Sequence, residues 1–87
     1  MSEITRQTVA DELAAYLRHD ISRADLVAWA ESAMMEGVFE REHLADIRDV
    51  VARLGVADVR TFGLTWEDCE QLLSQLGYAA RVNIVAT

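Results

Sequence analysis

Glu40-Arg41-Glu42-His43 holds the pattern Glu-x-x-His. On a helix, that spacing presents a carboxylate and an imidazole to one metal, as in di-iron carboxylate bundles. Such a centre needs a second copy of the motif and two further inward carboxylates. The other histidine, His19, has Tyr16 rather than Glu three positions before it. A lone copy therefore reads as a carboxylate-rich helix start, and one cysteine with two separated histidines falls short of a zinc ligand set. No metal and no cofactor is expected.

Covalent chemistry finds little footing. Cys69 lies between Asp68 and Glu70, one turn from Trp66. Negative neighbours and an apolar face raise a thiol's pKa, the reverse of nucleophile activation, so Cys69 reads as a packing residue. Ser22, Ser32 and Ser74 have no base beside them in sequence. Phosphate-cradling glycine loops and the Gly-x-Ser-x-Gly nucleophile elbow are absent. With 87 residues there is also little length for a roomy concave pocket beside a core. The chain reads as a non-enzyme.

Charge carries more information. Fifteen acidic residues face eight basic ones, all Arg, for a net charge of −7. Affinity for nucleic acid comes from Lys and Arg set against phosphates, and there is no basic run here. An anionic membrane surface would repel the chain as well. Neither nucleic acid nor membrane is an expected partner; a basic protein is the complementary one.

The acids group. Glu42, Asp46 and Asp49 follow at spacings of four and three and lead to Arg53, while Glu31, Glu36 and Glu40 surround the preceding turn. Acids early and Arg late complement a helix dipole, and Asp49 to Arg53 is a favourable i,i+4 pair. A second group, Glu67-Asp68-Glu70, opens the last helix. Glu36, Glu40, Glu42, Asp46 and Asp49 are the candidate partner-binding residues. Trp29 and Trp66 sit on apolar stripes and read as core; either one exposed beside acids would become an interface anchor.

Four amphipathic segments must position these groups. The first is expected over residues 3–18, with Val9, Leu13, Tyr16 and Leu17 on its apolar side and His19-Asp20 as its stop. The second starts at a Ser22/Asp25 capping box and buries Leu26, Trp29, Ala30, Ala33 and Met34, with Gly37 as left-handed terminator. The third spans 40–54, with Leu44, Ile47, Val51 and Leu54 inward and Gly55-Val56 as its stop. The fourth opens at Thr65 with Asp68 three residues on, buries Trp66, Cys69, Leu72, Leu73 and Leu76, and stops at Gly77-Tyr78. Residues 58–62 and the alternating 81–86 read as short strands, parallel or antiparallel, near the C-terminus.

The expectation is a mainly α fold: one compact four-helix domain over residues 1–87 with a minor two-stranded β element near the C-terminus. No apolar run approaches the ~20 residues that span a bilayer. Residues 1–6 show neither the apolar run nor the basic start of a signal peptide, so a cytoplasmic location is expected.

Ile21-Ser22-Arg23-Ala24-Asp25-Leu26-Val27-Ala28-Trp29-Ala30 resembles the helix opening of small helical immunity proteins from bacterial toxin systems. The resemblance implies an acidic cytosolic protein that neutralises a basic toxin by masking its active surface. The alternative is a self-associating scaffold that dimerises through its C-terminal strand, since an uncovered edge strand is a pairing template.

Overall fold

The computed structural model describes residues 3–57 and 63–79. Its elements are β1 (Glu3–Ile4), α1 (Arg6–Leu17), α2 (Arg23–Glu36), β2 (Val38–Phe39), α3 (Leu44–Gly55) and α4 (Trp66–Gln75). The fold is mainly α, with four helices among the described residues.

Three helices begin at reciprocal capping boxes. Thr5 accepts a hydrogen bond from the Thr8 amide at 3.2 Å, and the Thr8 hydroxyl accepts one from the Thr5 amide at 3.1 Å. Ser22 and Asp25 repeat the arrangement at α2, and Thr65 and Asp68 at α4. Each box satisfies amides that the first helical turn leaves without partners. The first helix consequently starts later than its periodicity implied. Once Thr5 caps α1, Glu3 and Ile4 are released to extend.

They extend against β2. Glu3 pairs with Val38 and Ile4 with Phe39, in parallel, and the Glu40 amide donates to the Ile4 carbonyl at 2.9 Å. Parallel strands need a long crossover, which α1 and α2 provide. The two-stranded element therefore lies at residues 3–4 and 38–39 rather than near the C-terminus. The segments expected as strands, 58–62 and 81–86, lie outside the described residues.

The glycines divide by role. Gly77 has φ 92° and closes a Schellman stop, with Gly77 N–H donating to the Ser74 carbonyl and Tyr78 N–H to that of Leu73. The same stop ends α1 without a glycine: His19 takes φ 66°, and Asp20 N–H donates to the Ala15 carbonyl at 2.9 Å. Gly37, expected to be left-handed, is extended at φ −75° and ψ 151°. Gly55 is the last residue of α3, and the cap falls on Val56.

One hydrophobic cluster joins all four helices and β1. Leu13, Leu26, Ile47, Leu54 and Leu76 are its largest fully buried members, and no buried residue among those described is polar or charged. α2 and α3 share the most extensive packing, through Leu26, Val27, Ala30 and Ala33 on one side and Ile47, Val50, Val51 and Leu54 on the other. Met34, Leu44 and Trp66, expected inside, are exposed. Helical drift explains Met34, because Ala30 and Ala33 already occupy the inward line. Leu44 and Trp66 are the first residues of their helices, ahead of the turn that packs.

Two arginines tie α4 down. Arg53 reaches from α3 to the Gly63 carbonyl at 3.1 Å and to Asp68 at 3.5 Å. Arg6 donates to the Leu76 carbonyl at 3.0 Å, with its guanidinium 5.6 Å from the centre of the Tyr78 ring. A cation at the carbonyl end of α4 is favourable, which accounts for a basic residue in the first turn of α1, where one is otherwise misplaced. Among the described residues, no helix is long and apolar enough to cross a membrane.

Candidate functional site

The five acidic residues singled out by sequence sit on or beside the junction between α2 and α3. Glu36 is the exposed last residue of α2. Glu40 follows β2 and is half-buried, its amide held by Ile4. Glu42 is exposed in the turn before α3; Asp46 is half-buried in the first turn of that helix, and Asp49 is exposed farther along it. Because α3 begins at Leu44 rather than at residue 40, Glu42 does not belong to one helical stripe with Asp46 and Asp49.

That shift changes the physical account of the acidity. Asp46 is the acidic residue of the first turn of α3, where the dipole favours negative charge. Glu36 sits at the opposite kind of end: it closes α2 at its carbonyl terminus, and no basic residue occupies that last turn. A carboxylate there is opposed by the helix dipole. From Glu31 to Asp49 there are six acids and two arginines, Arg41 and Arg48, a net charge of −4 within a chain of net −7.

The acidic group on α4 differs, because the fold uses it. Asp68 accepts the Thr65 amide at 3.0 Å and pairs with Arg53. The Thr65 backbone hydrogen bond, with smaller help from the Thr65 side chain and the Arg53 charge, holds its carboxyl below the usual aspartate value against some desolvation. Asp68 therefore has a structural reason to be there.

Apolar side chains accompany the acids at the α2–α3 junction. Met35 is 84% exposed, Val38 50%, Met34 42% and Leu44 37%. Sequence reading missed this grouping. Adjacent Met34 and Met35 carried a signal, since neighbouring helical residues point about 100° apart and a narrow inward stripe cannot take both. Trp66, 40% exposed beside Glu67, is a separate exposed aromatic at the start of α4. Trp29 is half-buried against the core.

The remaining candidate groups lie apart from this junction among the described residues. His43 is the N-cap of α3 and makes no side-chain cap bond. Residues 40–43 precede the helix, so the Glu-x-x-His pattern lacks the helical geometry that would align its groups. Among the described residues, no cluster of three or more His, Cys, Asp or Glu side chains could hold a metal ion. Cys69 is fully buried, and its thiol is pushed up to about 11, first by desolvation and then by Asp68. An open hollow of about 420 Å³ lies at the α1–α2 turn, lined by Tyr16, His19, Asp20, Ile21, Ser22 and Arg23. Ser22 is engaged in its capping box and Asp20 pairs with Arg18 at 3.0 Å. This concavity exceeds what the chain length led us to expect, yet it is a surface feature.

No family model, curated protein or solved structure matches the chain. Residues 23–30 open α2 behind the Ser22 cap.

Proposed function

We propose that this chain is a small acidic interaction module that docks a basic protein surface through Glu36, Glu40, Glu42, Asp46 and Asp49. The observation that carries the reading is Glu36. A carboxylate at the carbonyl end of α2, without a basic residue in that turn, works against the helix it terminates. Binding supplies a reason for charge that local stability does not. Complementary charge steers encounter and suppresses wrong partners. The resemblance of residues 21–30 supports a particular use, neutralisation of a basic toxin by covering its active surface.

The test is calorimetry with an arginine- and lysine-rich peptide as the basic surface, repeated as ionic strength rises. Affinity should fall steeply with salt. Replacing the five acids by their amides should abolish binding, whereas Glu67→Gln/Glu70→Gln should leave it intact. Losses that simply follow the number of charges removed, five against two, would mean that net charge alone attracts the peptide, and the docking reading would fail.

A further inference from the structure

We infer that Met35 is a site of oxidative modification: its thioether accepts an oxygen atom from a peroxide, ahead of Met34 and Cys69, and the folded protein survives the change.

Three described residues carry sulfur, and the fold treats each differently. Met35 is 84% exposed in the last turn of α2, Met34 beside it is 42% exposed, and Cys69 is fully buried. The contrast within the methionine pair has a helical cause. Ala30 and Ala33 hold the inward line of this part of α2. Four residues beyond Ala30, Met34 lies about 40° around the helix axis from it, at the border of that line. Met35 lies about 140° from Ala30 and points away. Neither methionine belongs to the hydrophobic cluster or to the side chains packed against it.

The chemistry favours the exposed thioether. A thiol reacts with peroxide as its thiolate, whereas a thioether has no proton to lose and reacts according to access. Cys69 offers neither access nor charge, because burial pushes its thiol up to about 11. The step at Met35 is oxygen-atom transfer from hydrogen peroxide or an organic hydroperoxide. A sulfur lone pair attacks one peroxide oxygen, the O–O bond breaks and an S–O bond forms. With hydrogen peroxide, the other oxygen leaves as water, carrying the proton of the transferred one. Sulfur loses two electrons and the peroxide gains them. The sulfoxide is polar and disrupts a core when it forms inside one. At Met35 it meets solvent, and being uncharged it leaves the net charge of −7 as it was.

The experiment treats the folded chain with dilute hydrogen peroxide, stops the reaction early and maps the product by tandem mass spectrometry. Trypsin releases residues 24–41 as one peptide that holds both Met34 and Met35, and its fragments separate the two positions. Met35 should oxidise about twice as fast as Met34 or faster, in line with their exposures. In urea the two rates should converge. Met35→Leu should remove the fast product from this peptide. Equal rates in the folded chain, a preference that persists in urea, or oxidation of Cys69 ahead of Met35 would overturn the inference. The chain oxidised at Met35 should melt within about 4 °C of the parent, the span of an exposed substitution. A larger drop, or loss of helical signal by circular dichroism, would show that Met35 is packed and would overturn it too. Either failure leaves the charge-docking reading untouched, because no carboxylate takes part.

Discussion

Gly37 lies so close to Ile4 that a methyl group on Gly37 would overlap the Ile4 Cδ1 atom. The same methyl would stand 2.5 Å from the Ala33 carbonyl oxygen. The glycine is therefore required for the approach of β1 to the end of α2, because its φ of −75° suits any residue. Gly37→Ala should destabilise the fold by about 1–3 kcal/mol, the usual range for overpacking. Urea unfolding measures it. Ile4→Val removes the offending methyl, so the double variant should lose less than the sum of the two single ones. Strict additivity would show that Ile4 is not what Gly37 accommodates.

His19 and Gly77 close equivalent helix stops with different residues. A left-handed conformation costs a non-glycine residue roughly 1–2 kcal/mol, partly offset by the freedom glycine gains when unfolded. His19→Gly should accordingly stabilise by about 0.5–1 kcal/mol. Gly77→Ala should destabilise by about 1–2 kcal/mol from backbone strain alone, and its methyl would also stand 2.8 Å from the Arg6 guanidinium. Thermal unfolding of the two variants should move in opposite directions.

Cys69 should resist alkylation in the folded protein. Burial and a thiol raised to about 11 leave almost no accessible thiolate at neutral pH. Iodoacetamide labelling should therefore proceed only through unfolding, at a rate that urea accelerates in step with loss of helical signal. Rapid labelling under native conditions would contradict the packing of α4.

Asp68 should impose a defined acid dependence. Its folded pKa lies below the unfolded one, so the stability it contributes is complete above the unfolded value and disappears as pH falls through the folded value. Asp68→Asn should flatten the decline of stability in the acid carboxylate range. Glu12 has the opposite sign. Desolvation, and then Asp11, raises its pKa, so ionisation works against folding. Glu12→Gln should raise the melting temperature at neutral pH and leave it unchanged once pH falls below the carboxylate range.

Much of the helical framework was legible because it is local. The Ser22/Asp25 and Thr65/Asp68 boxes carry their partner three residues away, and periodicity marks Ile47, Val51 and Leu54 as inward. Thr5 was overlooked because its partner, Thr8, is a hydroxyl residue rather than the usual acid. β1 was hidden for a different reason. Two residues carry no alternation, and their partner lies across two helices. At the candidate site, the acidic residue types were evident, but their physical meaning was not. The observed start of α3 at Leu44 puts Asp46 in its first turn and leaves Glu42 outside the helix, whereas the place of Glu36 at the carbonyl end of α2 already followed from the Gly37 stop.

The seam made by Arg6 with the Leu76 carbonyl, reinforced by Tyr78 donating to Gln7 at 3.1 Å, joins residues 70 and 71 positions apart. During synthesis, α1 will have left the ribosome long before its counterpart exists. The α2–α3 contacts are close in sequence and can form without the C-terminal residues. The seam must wait until Leu76 has been made and is free of the ribosome. A chain that ends before residue 76 should therefore leave its first helix open to proteases, and the released 87-residue chain should not.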